Sequence, residues 1–259
     1  MTQTSLFDLT GKTALITGGS RGLGLQMAEA LGTHGAKLML SARKTDELQA
    51  AQTHLGNMEI DATWFAADSA KDIDIAKLAD AAIEELGHVD ILINNAGASW
   101  GAPAEDYPID AWDKVFNVNM RGLFLLTQQI GKRSMIPRKY GRIINIASIA
   151  GLRGNPPGPM QTIAYNSSKG ALVNFTRTLA GEWGKYGITV NALAPGFFPS
   201  RMSQGLIQNL GEEALIGNSP LHRLGDDEDL KGAALLFASD AGKHITGQIL
   251  AVDGGQSAV

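Results

Sequence analysis

The sequence predicts an α/β architecture built on a doubly wound, mostly parallel sheet of about seven strands, and three observations carry that reading. Short apolar runs recur at Thr13–Ile16, Lys37–Leu40, Ala62–Ala66, Val89–Ile93, Arg142–Ala147, Thr189–Leu193 and Gln248–Val252, with helical patterns between them. Such regular alternation makes βαβ units, in which helices cover both faces of the sheet. No Pro-, Gly- or Ser-rich linker, internal repeat or low-complexity tract divides the 259 residues, so 1–259 reads as a single domain.

The first run, Ala14-Leu15-Ile16, leads into Thr17-Gly18-Gly19-Ser20-Arg21-Gly22-Leu23-Gly24, after which Leu25, Met27, Ala28, Ala30 and Leu31 take helical spacing. A glycine-rich turn between a buried strand and a helix start lets backbone approach an anion, with the first helical N–H groups pointing at it. The spacing Gly18-x3-Gly22-x-Gly24 departs from G-x-G-x-x-G but keeps its strand, turn and helix context, and it reads as a dinucleotide pyrophosphate site.

The second run ends in Ser41-Ala42-Arg43-Lys44, with Ala42 where an NAD-specific site carries a carboxylate for the ribose 2′-OH and no acid before Asp46. Arg43, and Arg21 inside the glycine turn, are positioned to converge on a 2′-phosphate, since the planar guanidinium suits bidentate phosphate contacts. NADP(H) is therefore expected over NAD(H), which remains possible.

The fifth run ends at Ser148, at the strand edge where ligands bind, and a hydroxyl there can stabilise charge developing on a substrate oxygen. Tyr165-Asn-Ser-Ser-Lys169 opens a helical pattern through Leu172, Val173, Thr176, Leu179 and Trp183. A separation of four puts phenol and ammonium on one face, where the cation favours phenolate. The longest irregular stretches, 151–163 and 196–220, follow strands and read as pocket-forming substrate loops.

Composition narrows the function class. A net charge of −4 gives no reason to expect nucleic acid or an acidic membrane as partner. The absence of cysteine excludes disulfides, thiolate metal sites and a cysteine nucleophile; no metal site is expected. Met1–Asp8 is polar, without a basic and then apolar leader, and no stretch of eighteen apolar residues follows, so a cytoplasmic protein is expected.

Taken together, Thr17-Gly18-x3-Gly22-x-Gly24, Asp68, Asn94-Asn95-Ala96-Gly97, Asn119, Ser148, Tyr165-x3-Lys169 and Pro195-Gly196, in this order from about Leu9 to Gly255, resemble the short-chain dehydrogenase/reductase family. The resemblance implies a Rossmann-type sheet, a nicotinamide cofactor and an Asn-Ser-Tyr-Lys tetrad of Asn119, Ser148, Tyr165 and Lys169. It further implies that Asp68 contacts the adenine, that Asn95 lies beside the cofactor, that Lys169 also binds the nicotinamide ribose, and that Ser200 offers a hydroxyl where many relatives have threonine. Asn119 would anchor a water between Lys169 and solvent, and Lys169 would lower the tyrosine pKa. A homotetramer is implied too, with the helices near Trp112–Met135 and Tyr165 forming one interface and the C-terminal strand another.

One departure stands out. Ser148 and Tyr165 are seventeen positions apart, farther than in many relatives, and the added residues fall in Gly151–Ile163, which holds Asn155-Pro156-Pro157-Gly158-Pro159-Met160. Three prolines stiffen that insert, which is expected to shape the substrate mouth. Residues 94–101 and 195–202 resemble 3-ketoacyl reductases of the rhamnolipid-associated type, whereas the tail from Arg223 to Gly255 resembles gluconate 5-dehydrogenases. Trp100, Met160, Phe197, Phe198, Met202, Leu206 and Ile207 suggest an apolar pocket, favouring a 3-oxoacyl thioester or hydrophobic ketone. The alternative substrate is a sugar acid whose carboxylate pairs with Arg153 or Arg201. A non-catalytic nucleotide-sensing scaffold would be signalled by loss of a tetrad member, and all four are present.

Overall fold

Each of the seven apolar runs becomes a strand: β1 Thr13–Thr17, β2 Lys37–Ala42, β3 Ala62–Ala66, β4 Ile91–Asn94, β5 Gly141–Ile146, β6 Ile188–Pro195 and β7 Ile249–Val252. The computed structural model describes residues 6–156, 158–201, 203–217 and 219–259; Met1–Ser5, Pro157 and Met202, named above, lie outside them. The strands form one sheet in the order β3-β2-β1-β4-β5-β6-β7, every pairing parallel. Because the chain winds outward in both directions from β1 and β4, their carboxyl ends flank the crevice where such sheets bind ligands.

Three helices, α1 Gly22–Thr33, α2 Thr45–Asn57 and α3 Asp72–Leu86, connect the first four strands. Between β4 and β5 the chain runs through α4 Ile109–Phe116, α5 Leu123–Ile130 and α6 Ile136–Arg138, joined by widened π-helical turns over Asn117–Gly122 and Gly131–Met135. The long α7, Ile163–Trp183, precedes β6. Alternation within the strands divides the core. Ala14 and Ile16 pack with Met27, Leu31, Leu48 and Leu55 of α1 and α2, while Leu15 packs on the other face with Leu78, Leu126 and Leu179 of α3, α5 and α7.

The stretch 196–220 was expected to be irregular, yet it contains α8 Gln204–Leu210 and α9 Glu212–Ile216 before α10 Lys231–Ala238. These are short helices whose residues are mostly exposed, so little apolar periodicity announces them.

A buried polar ladder crosses the sheet behind the carboxyl edge. The Asn94 amide donates to Thr127 Oγ1 at 3.0 Å and to Asn145 Oδ1 at 2.9 Å, and Asn145 Nδ2 donates to Thr176 Oγ1 at 2.9 Å. It ties α5, β4, β5 and α7 into one register. Asn145→Ala removes two buried side-chain hydrogen bonds and should cost about 2–4 kcal/mol of unfolding free energy, measured by denaturant titration; a loss under ~0.5 kcal/mol would show that the ladder does not hold these elements.

Candidate active site

Two turns meet at the end of β1 and β4. Thr17 Oγ1 accepts the N–H groups of Asn95 and Ala96, each at 3.0 Å, and Asn95 Nδ2 donates to the carbonyls of Thr17 and Gly18, each at 3.0 Å. The Asn95 side chain, expected beside the cofactor, therefore spends its donors on holding the glycine turn. Gly24 is likewise a packing residue: a Cβ there would stand 2.2 Å from the Gly18 carbonyl oxygen, and Gly24 does not line the cavity.

Past this contact the turn opens into a cavity of about 1050 Å³. Gly18, Ser20, Arg21, Gly22 and Leu23 line it from one side, Asp68 and Asn95-Ala96-Gly97 from another, and Ser148, Tyr165, Lys169, Pro195, Gly196 and Ser200 from the far side. Gly22 adopts φ +52°, and a Cβ on it would meet nothing within 4 Å. The first turn of α1 has no side-chain cap, so its backbone donors face this open space. An extended dianionic pyrophosphate with an adenine on one side and a nicotinamide on the other fits these groups and this volume.

The candidate catalytic residues come from three elements. Ser148, 9% exposed, follows β5, and its Oγ accepts the Ala150 N–H at 3.2 Å. Lys169, 4% exposed on α7, donates from Nζ to the Ile146 carbonyl at 2.6 Å, and Nζ lies 5.6 Å from the Tyr165 ring centroid. Asn119 sits in the first π-helical turn, a local widening common at functional sites, but it stands behind the cavity wall. Its Oδ1 accepts the Ala98 N–H at 2.8 Å, and its two amide protons go to the Ala98 carbonyl at 3.0 Å and to Ser168 Oγ at 2.9 Å. Those donors are thus spent within the protein, and the side chain is not free to donate to the expected water. Ser168 in turn donates to the Tyr165 carbonyl at 2.8 Å, so Asn119 fixes the α7 backbone at the tyrosine.

Where β2 ends, Arg43 and Arg21 both line the cavity, as does Ala42. Their convergence is incomplete, because Arg21 Nη1 is bonded to Glu47 Oε1 at 2.6 Å. Glu47, on α2, also lines the cavity and was missed in the sequence: one helical turn beyond the strand end, it carries no motif. The Ser200 hydroxyl is within 3.0 Å of Ser203 Oγ.

In the substrate half, Met160, Phe197 and Leu206 line the cavity with Leu210 and Leu215 from α8 and α9. Phe198 reaches it as well but is 5% exposed and belongs mainly to the core. Trp100 and Ile207 do not line it; Trp100 is 46% exposed, its ring 5.8 Å from Nζ of the lining residue Lys114. The insert folds back on α7, with Asn155 Nδ2 donating to the Met160 carbonyl at 2.6 Å and to Thr162 Oγ1 at 3.0 Å.

Burial sets the protonation of the pair. It pushes the Tyr165 phenol above its ordinary value, with the Ser148 hydroxyl working the other way, so the expected lowering by Lys169 does not prevail. It also lowers the Lys169 ammonium to about 8. Unfolded lysine holds its proton to about 10.4, so between about 8 and 10 the unfolded chain binds more protons and folding stability rises with pH. Wild type should gain about 2–3 kcal/mol across that window relative to Lys169→Met in denaturant titrations, and parallel curves would refute the shift. Above pH 10 the raised tyrosine acts with the opposite sign.

Among the described residues no group of three or more His, Cys, Asp or Glu could hold a metal, and no helix is long and apolar enough to cross a membrane. A family model described as short chain dehydrogenase matches residues 12–211. Gluconate 5-dehydrogenase of Gluconobacter oxydans is 38% identical over 259 residues, covering 98% of each chain. The 3-oxoacyl-(acyl-carrier-protein) reductase of rhamnolipid biosynthesis from Pseudomonas aeruginosa is 37% identical over 253 residues, covering 96% of this chain and 97% of its own. A crystal structure of a gluconate 5-dehydrogenase from Burkholderia cenocepacia in complex with NADP and tartrate superposes with a TM-score of 0.92 at 32% identity, covering 98% of both chains. With the whole sheet shared and the glycine turn, Ser148, Tyr165 and Lys169 gathered on one cavity, the chain belongs to the short-chain dehydrogenase/reductase family, and it is an oxidoreductase.

Proposed function

We propose that this oxidoreductase interconverts a secondary alcohol and a ketone, with a 3-oxoacyl thioester or another hydrophobic ketone as its carbonyl substrate. The carrying observation is that Ser148, Tyr165 and Lys169 share one cavity with Met160, Phe197, Leu206, Leu210 and Leu215. A bound nicotinamide dinucleotide supplies the hydride for reduction and accepts it in oxidation. Ser148 donates a hydrogen bond to the substrate oxygen, and Tyr165 gives that oxygen its proton. A phenol held above its ordinary pKa stays protonated at neutral pH, which suits an acid. Lys169 places positive charge beneath both the phenol and the ribose, and Asn119, through Ser168, keeps the α7 backbone in position.

The dinucleotide rests on the Gly18–Leu23 turn, with Asp68 at the adenine, Asn95, Ala96 and Gly97 along one side, and Pro195, Gly196 and Ser200 at the carboxamide. NADP(H) is preferred, because Ala42 places no carboxylate at the ribose and Arg43 and Arg21 both border that end of the cavity. The Burkholderia relative, by its own description, was crystallised with NADP. The working form is a cytoplasmic homotetramer; Phe124 on α5, 45% exposed, and Leu250 on β7, 37% exposed, lie on the two elements expected at its interfaces.

A sugar acid is the second reading, favoured by one observation. Arg153 borders the cavity and has no ion-pair partner among the described residues, so it is available to a substrate carboxylate. A panel of 3-oxoacyl thioesters and keto sugar acids, run with NADPH and NADH, decides between them by kcat/KM. Faster turnover of the keto sugar acids would replace the first reading with the second.

In the same assay Tyr165→Phe should lose at least about tenfold in kcat, or ~1.4 kcal/mol, with cofactor Kd within about twofold; a smaller loss removes the proton-donor role. Arg43→Ala and Arg21→Ala should each weaken NADPH about tenfold more than NADH by calorimetry, and equal losses would remove the 2′-phosphate assignment.

A further inference from the structure

One oxygen atom of Glu47 gathers three cations from three parts of the chain. Arg21 of the glycine turn, Lys44 at the start of α2 and Arg201 of the substrate loop reach Oε1 at 2.6, 3.1 and 3.2 Å. All four residues line the cavity, beside Ala42 and Arg43. Each pair by itself is a screened surface contact of small worth. Their convergence on a single atom, in the wall of the cleft, is not explained by helix pairing alone: only Lys44 and Glu47 stand at i,i+3.

We propose that Glu47 is a specificity-determining residue that limits the preference for the phosphorylated dinucleotide, by occupying with its own carboxylate the cations that a ribose 2′-phosphate would take. The inference rests on the placement of the 2′-phosphate at Arg21 and Arg43 given above. A 2′-phosphate carries nearly two negative charges and seeks the same guanidinium and ammonium donors. To reach them it must displace a carboxylate already bonded there, or sit against its charge. A 2′-hydroxyl brings no charge and has no such competitor.

Burial works to raise the Glu47 carboxyl, but Lys44, Arg21 and Arg201 together outweigh it and hold it below its ordinary value. Glu47 is therefore ionised whenever a cofactor arrives at neutral pH. Because Arg201 follows β6 while Glu47 sits on α2, the same contact straps the substrate loop to the cofactor half. Displacing Glu47 frees Arg201 to become a further cation for the phosphate.

The test is Glu47→Gln, which keeps the shape and removes the charge, titrated calorimetrically with NADPH and NADH in low salt. NADPH should bind about tenfold more tightly than to wild type, with NADH within about twofold. Adenosine 2′,5′-bisphosphate against adenosine 5′-monophosphate should show the same contrast, and thermal unfolding verifies that the variant is folded. An unchanged NADPH/NADH ratio overturns the inference, as does weaker NADPH binding, which would make Glu47 an organiser of the phosphate site. If Arg21→Ala weakens NADPH selectively while Glu47→Gln leaves the ratio unchanged, the phosphate placement stands and only Glu47's role falls. If none of the three variants at positions 21, 43 and 47 discriminates between the cofactors, both fall together.

Discussion

The contact on which the site depends is the knot at the ends of β1 and β4, where Thr17 and Asn95 satisfy each other's backbone. Two irregular turns leave a parallel sheet side by side there, and both expose backbone groups that the strands no longer pair. Closing those groups onto a threonine hydroxyl and an asparagine amide leaves the remaining donors, at the start of α1, facing the cavity. The turn's glycines divide this labour. Gly24 permits the backbone of α1 to touch Gly18, whereas Gly22 leaves room for a ligand.

The catalytic side of the cleft is positioned by a second set of buried polar contacts, running through helix α7. Asn119 holds Ser168, Ser168 holds the Tyr165 carbonyl, and Lys169 holds the end of β5. Asn145 and Thr176 extend the same logic deeper into the core. Burial lowers the proton affinity of the Lys169 amine, whose Nζ is bonded to the Ile146 carbonyl.

The substrate half follows different rules. Its wall comes from the proline-bearing insert and from α8 and α9, which are short and mostly exposed. Such segments tolerate change in length and composition at small cost to the core. Relatives acting on acyl thioesters and on sugar acids can therefore share the sheet and the glycine turn while differing here. Apolar Met160 and Leu206 and cationic Arg153 all line this cavity.

The sequence by itself determined the sheet and the chemistry. Continuous apolar runs must be covered on both faces, and glycine, serine, tyrosine and lysine at their spacings have few other reasons to coincide. Strand ends were legible within about two residues, and the cavity-lining residues of the glycine turn, Ser148, Tyr165 and Lys169 came together. Only the tertiary structure decided which side chains serve the ligand and which serve the fold. Asn95 and Asn119 spend their side-chain donors on backbone carbonyls distant in the chain, which leaves no local signal, and Gly24 is required by the close approach of α1 to Gly18. Trp100 left the pocket for the surface, and Glu47 entered it, since a charge placed one turn into a helix declares its partners only when Arg21 and Arg201 are folded against it.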